Sequence, residues 1–119
     1  MLIDGKNFAF LATLLPDGSP HVTPMWVDHE GDMLVMNTAK GRIKQRNITR
    51  DPRVSITIVD SNNPYDRIVI HGRVVNQTVQ GAEAHIDKLA KKYTGANKYQ
   101  KTTPTEERII MKIEPMRIL

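Results

Sequence analysis

Closely spaced turn signals cut the first third of this chain into short β-prone runs, and that punctuation decides most of what it can fold into. Phe8 to Leu15 (FAFLATLL) is followed by Pro16-Asp17-Gly18-Ser19. Pro20 to His29 (PHVTPMWVDH) is followed by Glu30-Gly31-Asp32, and then comes Met33 to Thr38 (MLVMNT). Three such runs joined by Asp/Gly turns predict an antiparallel meander. Pro24 lies inside the second run and has no amide to donate, so this strand must be an edge, carry a bulge or bend. A ligand could meet free backbone groups there.

The rest of the chain keeps the same economy. Arg53 to Asp60 (RVSITIVD) alternates Val54, Ile56 and Ile58 against Ser55 and Thr57, the pattern of a half-buried strand. Ser61-Asn62-Asn63-Pro64 predicts a loop. Asp66 to Thr78 predicts a longer strand with a bulge or bend at Gly72, and Glu107 to Glu114 a last strand. Ala39 to Arg50 (AKGRIKQRNITR) predicts a short helix stopped by Asp51-Pro52. From Gln80 to Tyr93, Ala82, Ile86, Leu89, Ala90 and Tyr93 form one apolar stripe of a second helix, with acids toward its start and lysines toward its end. Six strands and two or so peripheral helices, without βαβ alternation, predict a mainly β, α+β domain: a closed or split antiparallel barrel with helices at its rim.

At 119 residues the chain makes one domain, 1–119, able to bury roughly 65% of its unfolded surface. It has no cysteine, which excludes a disulfide framework, a thiolate metal site and a cysteine nucleophile. No apolar run approaches the roughly 20 residues of a membrane span. The first segment, with Asp4 and no basic leader, does not read as a signal peptide. The expectation is a soluble, cytoplasmic domain without a membrane partner.

The net charge of +4 hides an uneven distribution. Lys40, Arg42, Lys44, Arg46, Arg50 and Arg53 stand against one acid, Asp51, and Lys88, Lys91, Lys92, Lys98 and Lys101 against none. The remainder is acidic. A protein that neutralises many phosphates spreads its cations over a face and interleaves aromatics for stacking. Six aromatics and two compact spots instead match one small anion rather than nucleic acid.

The usual catalytic signatures are missing. There is no GxSxG, GxGxxG, Walker A or HExxH pattern, and His21, His29, His71 and His85 lack metal-ligand spacing. No metal and no side-chain nucleophile is therefore expected. Thr38, Ala39 and Gly41 precede or open the basic helix, where free amides and the dipole favour an anion, with Lys40, Arg42, Lys44 and Arg46 around them. These residues can make a phosphate site, or simply a solvated basic face. Trp26, the single tryptophan, follows Pro24-Met25 and can wall a flat heterocycle or fill a core.

In order along the chain, FLATLLPDGSPHVTPMWV (Phe10 to Val27), NTAKGRIKQRNITRDPRVSITI (Asn37 to Ile58), NPYDRIVIHGRVV (Asn63 to Val75), HIDKLAKKYTG (His85 to Gly95) and EERIIMKIEPMRI (Glu106 to Ile118) resemble one family. It is that of the flavin/deazaflavin oxidoreductases with the pyridoxamine 5'-phosphate oxidase-like FMN-binding split β-barrel, nearest its PPOX-class F420-dependent enzymes. The resemblance implies a homodimer with cofactor sites at the subunit interface and a small-molecule substrate. It implies that Val22, Thr23, Pro24, Met25 and Trp26 line the cofactor ring system and Asn37 and Thr38 its tail. Lys40, Arg42 and Lys44 would bind its phosphate, while Tyr65 and Arg67 would reach across from the partner subunit. The implied activity is hydride transfer between reduced deazaflavin F420 and an enone, quinone or tetrapyrrole-like substrate. An FMN-dependent oxidoreductase of the same fold and a non-catalytic flavin-binding carrier or sensor are the alternatives. The lysines from Lys88 to Lys101 lean slightly toward F420, whose polyglutamate tail is anionic. Members of the family often carry an N-terminal helix before the first strand, and with about seven residues before Phe8 that cover is expected to be short or missing.

Overall fold

Each turn signal does its work through a specific bond. In the computed structural model, which describes residues 2–119, Asp17 Oδ1 accepts the Ser19 amide at 2.9 Å and its hydroxyl at 2.6 Å. Gly18 supplies the positive φ of 87° that reverses the chain. The hairpin joins β1 (Ala9–Leu14) to β2 (Pro20–Met25), and Gly31, at φ 60°, turns β3 (Asp28–Glu30) into β4 (Met33–Ala39). Helix α1 (Ile43–Arg50) is stopped by Asp51-Pro52 and leads into β5 (Arg53–Asp60) and the long β6 (Asn63–Thr78). Helix α2 (Ala82–Thr94) ends on Gly95, whose left-handed φ of 81° lets its amide bond Lys91 O. Strand β7 (Arg108–Ile118) closes the chain.

The seven strands form one antiparallel sheet in the order β2-β1-β5-β6-β7-β4-β3. Leu11 of β1 and Met36 of β4, three strands apart in that order, share one core cluster with Ile56, Ile58, Met111 and Ile113. A flat sheet could not bring them together, so the sheet wraps around this core and leaves β2 and β3 as its edges. Helix α1 packs on β1 and β4 at one end, while α2 covers the outer faces of β4 and β7. The core strands alternate in the expected sense; β5 buries Val54, Ile56 and Ile58.

Seven strands stand where six were expected. The run from Pro20 to His29 is two strands, because the ladder stops after Met25 and resumes at Asp28. Pro24 does sit on an edge strand. The loop predicted at Ser61 to Pro64 is a tight turn, with β6 starting at Asn63; Asp60 Oδ1 accepts the amides of Asn62 and Asn63 and so replaces a longer connection. The expected irregularity at Gly72 is present as a register shift. A Cβ there would lie 2.6 Å from Glu114 O, so only glycine permits the approach of β7. Among the described residues no helix is long and apolar enough to cross a membrane.

Candidate functional site

The break between β2 and β3 creates the site. Trp26 lies in that gap, half-buried, with its indole stacked on Tyr93 of α2 at 5.5 Å and 10°. Tyr99 meets it edge-on at 6.4 Å and 89°, in the loop between α2 and β7. Phe8, Pro24, Met25 and Trp26 on one side and Ile86, Leu89 and Tyr99 on the other wall a cleft of about 180 Å³. Its polar lining is Asn37, Arg42, Lys44 and Arg108. An aromatic and apolar wall with a few convergent polar groups is the usual form of a small-molecule site.

The polar end is built on Arg108, buried at the start of β7. Its Nε donates to Asn37 Oδ1 at 2.8 Å and its Nη1 to Glu106 Oε2 at 2.9 Å, while the guanidinium lies 4.8 Å from the Tyr99 ring. Glu106 also accepts from Arg42 at 3.3 Å. Burial pushes the Glu106 carboxyl up, but the Arg108 bond and charge, the Thr102 amide and Arg42 together hold it below the usual carboxylate range. Asn37 is fixed from three sides, since its Nδ2 also donates to Ala82 O and to His85 Nδ1, both at 3.0 Å. With Nδ1 accepting, the His85 proton sits on Nε2, and burial holds the ring below the ordinary histidine value and neutral.

Lys44 is the exception. It points into the cleft from the first turn of α1, and no carboxylate among the described residues pairs with it. Burial first, then the charges of Arg42 and Arg108, hold its ammonium below the ordinary lysine range. Arg42 and Arg108 thus share one carboxylate, Glu106, and Lys44 has none. Close by in the fold, at the inner end of β4, Thr38 is 1% exposed and its Oγ1 has no partner. Thr23 Oγ1 on β2 is likewise buried and unpartnered. These two hydroxyls face the barrel interior and do not line the cleft, so the feature of the cleft that an oxyanion would satisfy is the uncompensated Lys44 ammonium.

Of the residues singled out from sequence, Pro24, Met25, Trp26, Asn37, Arg42 and Lys44 line this cleft. Val22 faces outward on β2 and is 55% exposed, and Thr23 and Thr38 face the interior. Lys40 is not on the helix as its spacing predicted. The helix begins at Ile43, and Lys40 turns out toward Glu107 at 3.9 Å. The amides expected to be free before the helix are also taken: Lys40 N bonds Glu107 O, Gly41 N bonds Gln45 Oε1 and Arg42 N bonds Ala39 O. Tyr65, 85% exposed, and Arg67 stand on the hairpin joining β5 and β6, outside their own chain's cleft.

Sequence reasoning missed Arg108, Glu106, Tyr99 and Tyr93 as parts of this site. Arg108 reaches Asn37 across 71 positions and Tyr93 reaches Val27 across 66. No local pattern carries such a signal, apart from an arginine opening a strand that is otherwise buried. The second basic spot turns inward instead of offering charge. Lys88 pairs with Asp28 and Lys101 with Glu83, both at 3.1 Å, and Lys92 donates to two backbone carbonyls.

The architecture is a wrapped antiparallel sheet with an aromatic cleft that ends in one lysine, Lys44, unpaired among the described residues. The chain matches the family described as pyridoxamine 5'-phosphate oxidase over residues 1–119 and belongs to it, within the flavin/deazaflavin oxidoreductases. An F420 reductase superposes with a TM-score of 0.85 at 28% identity, covering 99% of this chain and 93% of that one. General Stress Protein 26 from Bacillus anthracis gives 0.69 at 22% identity over 98% and 85% of the two chains. HupZ from Group A Streptococcus gives 0.66 at 18% over 98% and 86%. The fold is therefore the split β-barrel, in a seven-stranded form.

Proposed function

We propose that this protein is a reductase that uses deazaflavin F420 to reduce an unsaturated organic substrate, an enone, quinone or tetrapyrrole-like molecule, and that it works as a homodimer. The observation that carries the reading is the unpaired Lys44 ammonium beside Arg42 and Arg108 in the cleft. These residues fit a cofactor phosphate. The 28% identical F420 reductase supports F420 over FMN, while the family's FMN-binding members keep FMN as the second reading. Lys88 and Lys101 are paired with Asp28 and Glu83, and Lys92 is tied to backbone carbonyls, which weakens the lean of these lysines toward F420.

When bound, the cofactor would supply a hydride to the unsaturated substrate. The chain's own residues hold and orient. Val22 to Trp26 form the strand and aromatic wall for the ring system, with Trp26 fixed by Tyr93. Asn37 and Thr38 lie along the tail, and the Asn37 amide is held in one orientation by Ala82, His85 and Arg108. Lys40, Arg42 and Lys44 neutralise the phosphate, with Lys40 swinging in from its long, 3.9 Å contact. The hydride-reduced anion would need one proton, at the α-carbon of an enone or at an oxygen of a quinone, which would come from water or from the Tyr65 hydroxyl. No side chain acts as nucleophile.

A second copy is required because one chain's cleft is below the roughly 300–1,000 Å³ of ligand pockets. Phe8, Phe10 and Val22 leave an apolar outer face on β1 and β2 at 48%, 40% and 55% exposure. Docked there, a second copy brings the Tyr65 and Arg67 hairpin to the cleft.

Titration of the purified chain with FMN and with F420, followed by cofactor fluorescence, tests the reading. F420 binding, followed by reoxidation of the reduced complex by enones or quinones, is the expected result. Binding of FMN alone overturns the cofactor choice, and inertness across a broad panel leaves a carrier or sensor.

A further inference from the structure

The Trp26–Val27 step takes its hydrogen bonds from helix α2 and not from a neighbouring strand. The Val27 amide donates to Tyr93 Oη at 3.2 Å, and the Val27 carbonyl accepts Lys92 Nζ at 2.8 Å. Val27 is fully buried, so both peptide groups need these partners. Lys92 and Tyr93 also hold the chain's N-terminal segment. Lys92 Nζ donates to Ile3 O at 2.7 Å, and Tyr93 Oη donates to Asn7 O at 2.7 Å. Each side chain therefore bridges one group of Val27 to one carbonyl of the segment.

The segment itself is well seated. Leu2–Asp4 form a 3-10 turn whose Ile3 side chain joins the barrel core. Asn7 is buried; its Nδ2 donates to Leu2 O at 2.8 Å and its Oδ1 accepts the Ser61 amide at 2.9 Å. Asp4 pairs with His29 at 2.9 Å. An ammonium that donates to two carbonyls and bonds no carboxylate is unusual. Burial holds Lys92 below the ordinary lysine range, partly offset by the charges of Asp28 and Asp4, while its direct bonds go to the two carbonyls. Release of residues 2–7 would remove one of the two carbonyls held by Lys92 and the nearer acceptor of the Tyr93 hydroxyl, leaving it the Val27 carbonyl at 3.4 Å. The Tyr93 ring is also the face on which Trp26 stacks.

We propose that Lys92 and Tyr93 are positioning residues through which the seating of residues 2–7 sets the orientation of Trp26 in the cleft. The consequence for catalysis rests on the reading of that cleft as the cofactor site. The coupling itself does not. A short N-terminal segment thereby governs a wall of the cleft from behind, through helix α2, without entering it.

Trp26 is the single tryptophan, so acrylamide quenching of intrinsic fluorescence in the cofactor-free full chain reports on this wall alone. Ile3→Ala and Lys92→Met are each expected to raise the quenching constant roughly twofold, as for a locally opened segment, with native far-ultraviolet circular dichroism. Lys92→Arg restores the native value. Lys88→Met, which loses only the pair with Asp28 on the same helix, leaves quenching unchanged. Native quenching in folded Ile3→Ala and Lys92→Met overturns the proposal, as does an equal rise in Lys88→Met.

Hydrogen exchange of the unmodified chain in sub-denaturing urea needs no variant. The amides of residues 2–7, the Val27 amide and Trp26 quenching should change at one midpoint, and separate midpoints overturn the coupling. A chain that shows this pattern yet binds neither FMN nor F420 loses the cofactor reading and keeps the positioning.

Discussion

The two basic stretches of this chain look alike on paper and differ in the folded molecule. Lys88, Lys91, Lys92 and Lys101 on and after α2 are answered within the chain by Asp28, Asn97, backbone carbonyls and Glu83. In the first stretch Arg53 pairs with Asp51 and Arg50 donates to Leu14 O and Asn47, while Arg42 shares Glu106 with Arg108 and Lys44 has no counter-charge. The second stretch is a solvated and stapled face. The first ends in a cleft where positive charge exceeds negative, and that excess, not the count of lysines, marks a site for an anion.

Arg108 is the most severe way to break this contrast, because it belongs to both the fold and the site. Its side chain and that of Glu106 are 3% and 4% exposed. Arg108→Met leaves a buried carboxylate and the Asn37 oxygen without their main donor. The expected loss is about 3–5 kcal/mol of stability, read as a lower midpoint in urea unfolding. A loss near zero would mean that Arg42 and the Thr102 amide suffice for Glu106.

Lys44→Ala separates binding from folding. Loss of one charge-assisted contact to phosphate should weaken cofactor binding by roughly 1.5–3 kcal/mol, about 10- to 150-fold. Stability should not fall. A lysine whose folded-state value lies below its unfolded one disfavours folding while it is charged in both states, and this penalty disappears only above the unfolded value. The same depression gives the pH dependence. Phosphate binding through Lys44 is strongest at neutral pH and fades as pH rises through a folded value below the ordinary 10.5. Fluorescence titration at several pH values checks both effects. Unchanged affinity in Lys44→Ala removes the phosphate assignment.

Which parts of this molecule could be read in advance follows from the range of the forces involved. The β1–β2 turn, the edge position of Pro24, the stop of α1 at Asp51-Pro52 and the irregularity at Gly72 depend on neighbours in sequence, and all were legible. The cut between β2 and β3 was not. It occurs where Val27 gives its peptide groups to Lys92 and Tyr93, 65 and 66 positions away. Pro24, Trp26, Arg42 and Lys44 were legible as candidates because chemistry can be read from residue type. Arg108 and Glu106 were not: they are two positions apart, but their place beside Asn37 in the cleft arises only when the sheet order brings β7 beside β4. Lys40 was misplaced for a local reason: Gly41, at φ 89°, breaks the helical path before Ile43 and turns Lys40 to the outer side.

The gentlest test belongs to the second stretch. Lys88 and Lys101 form exposed pairs whose lysines are 72% and 40% accessible, and such pairs contribute between about 0 and 1 kcal/mol. Lys88→Met and Lys101→Met should therefore change stability by less than about 1 kcal/mol. Their effect on cofactor affinity should be smaller still, because neither residue lines the cleft. Added salt should flatten the differences further, since exposed charges are screened within about 10 Å at 0.1 M ionic strength. A large loss of F420 affinity with FMN affinity intact would reverse the contrast between the two stretches. It would mean that the acids now paired with these lysines give way to an anionic tail, and that the second stretch is a site which this chain closes upon itself.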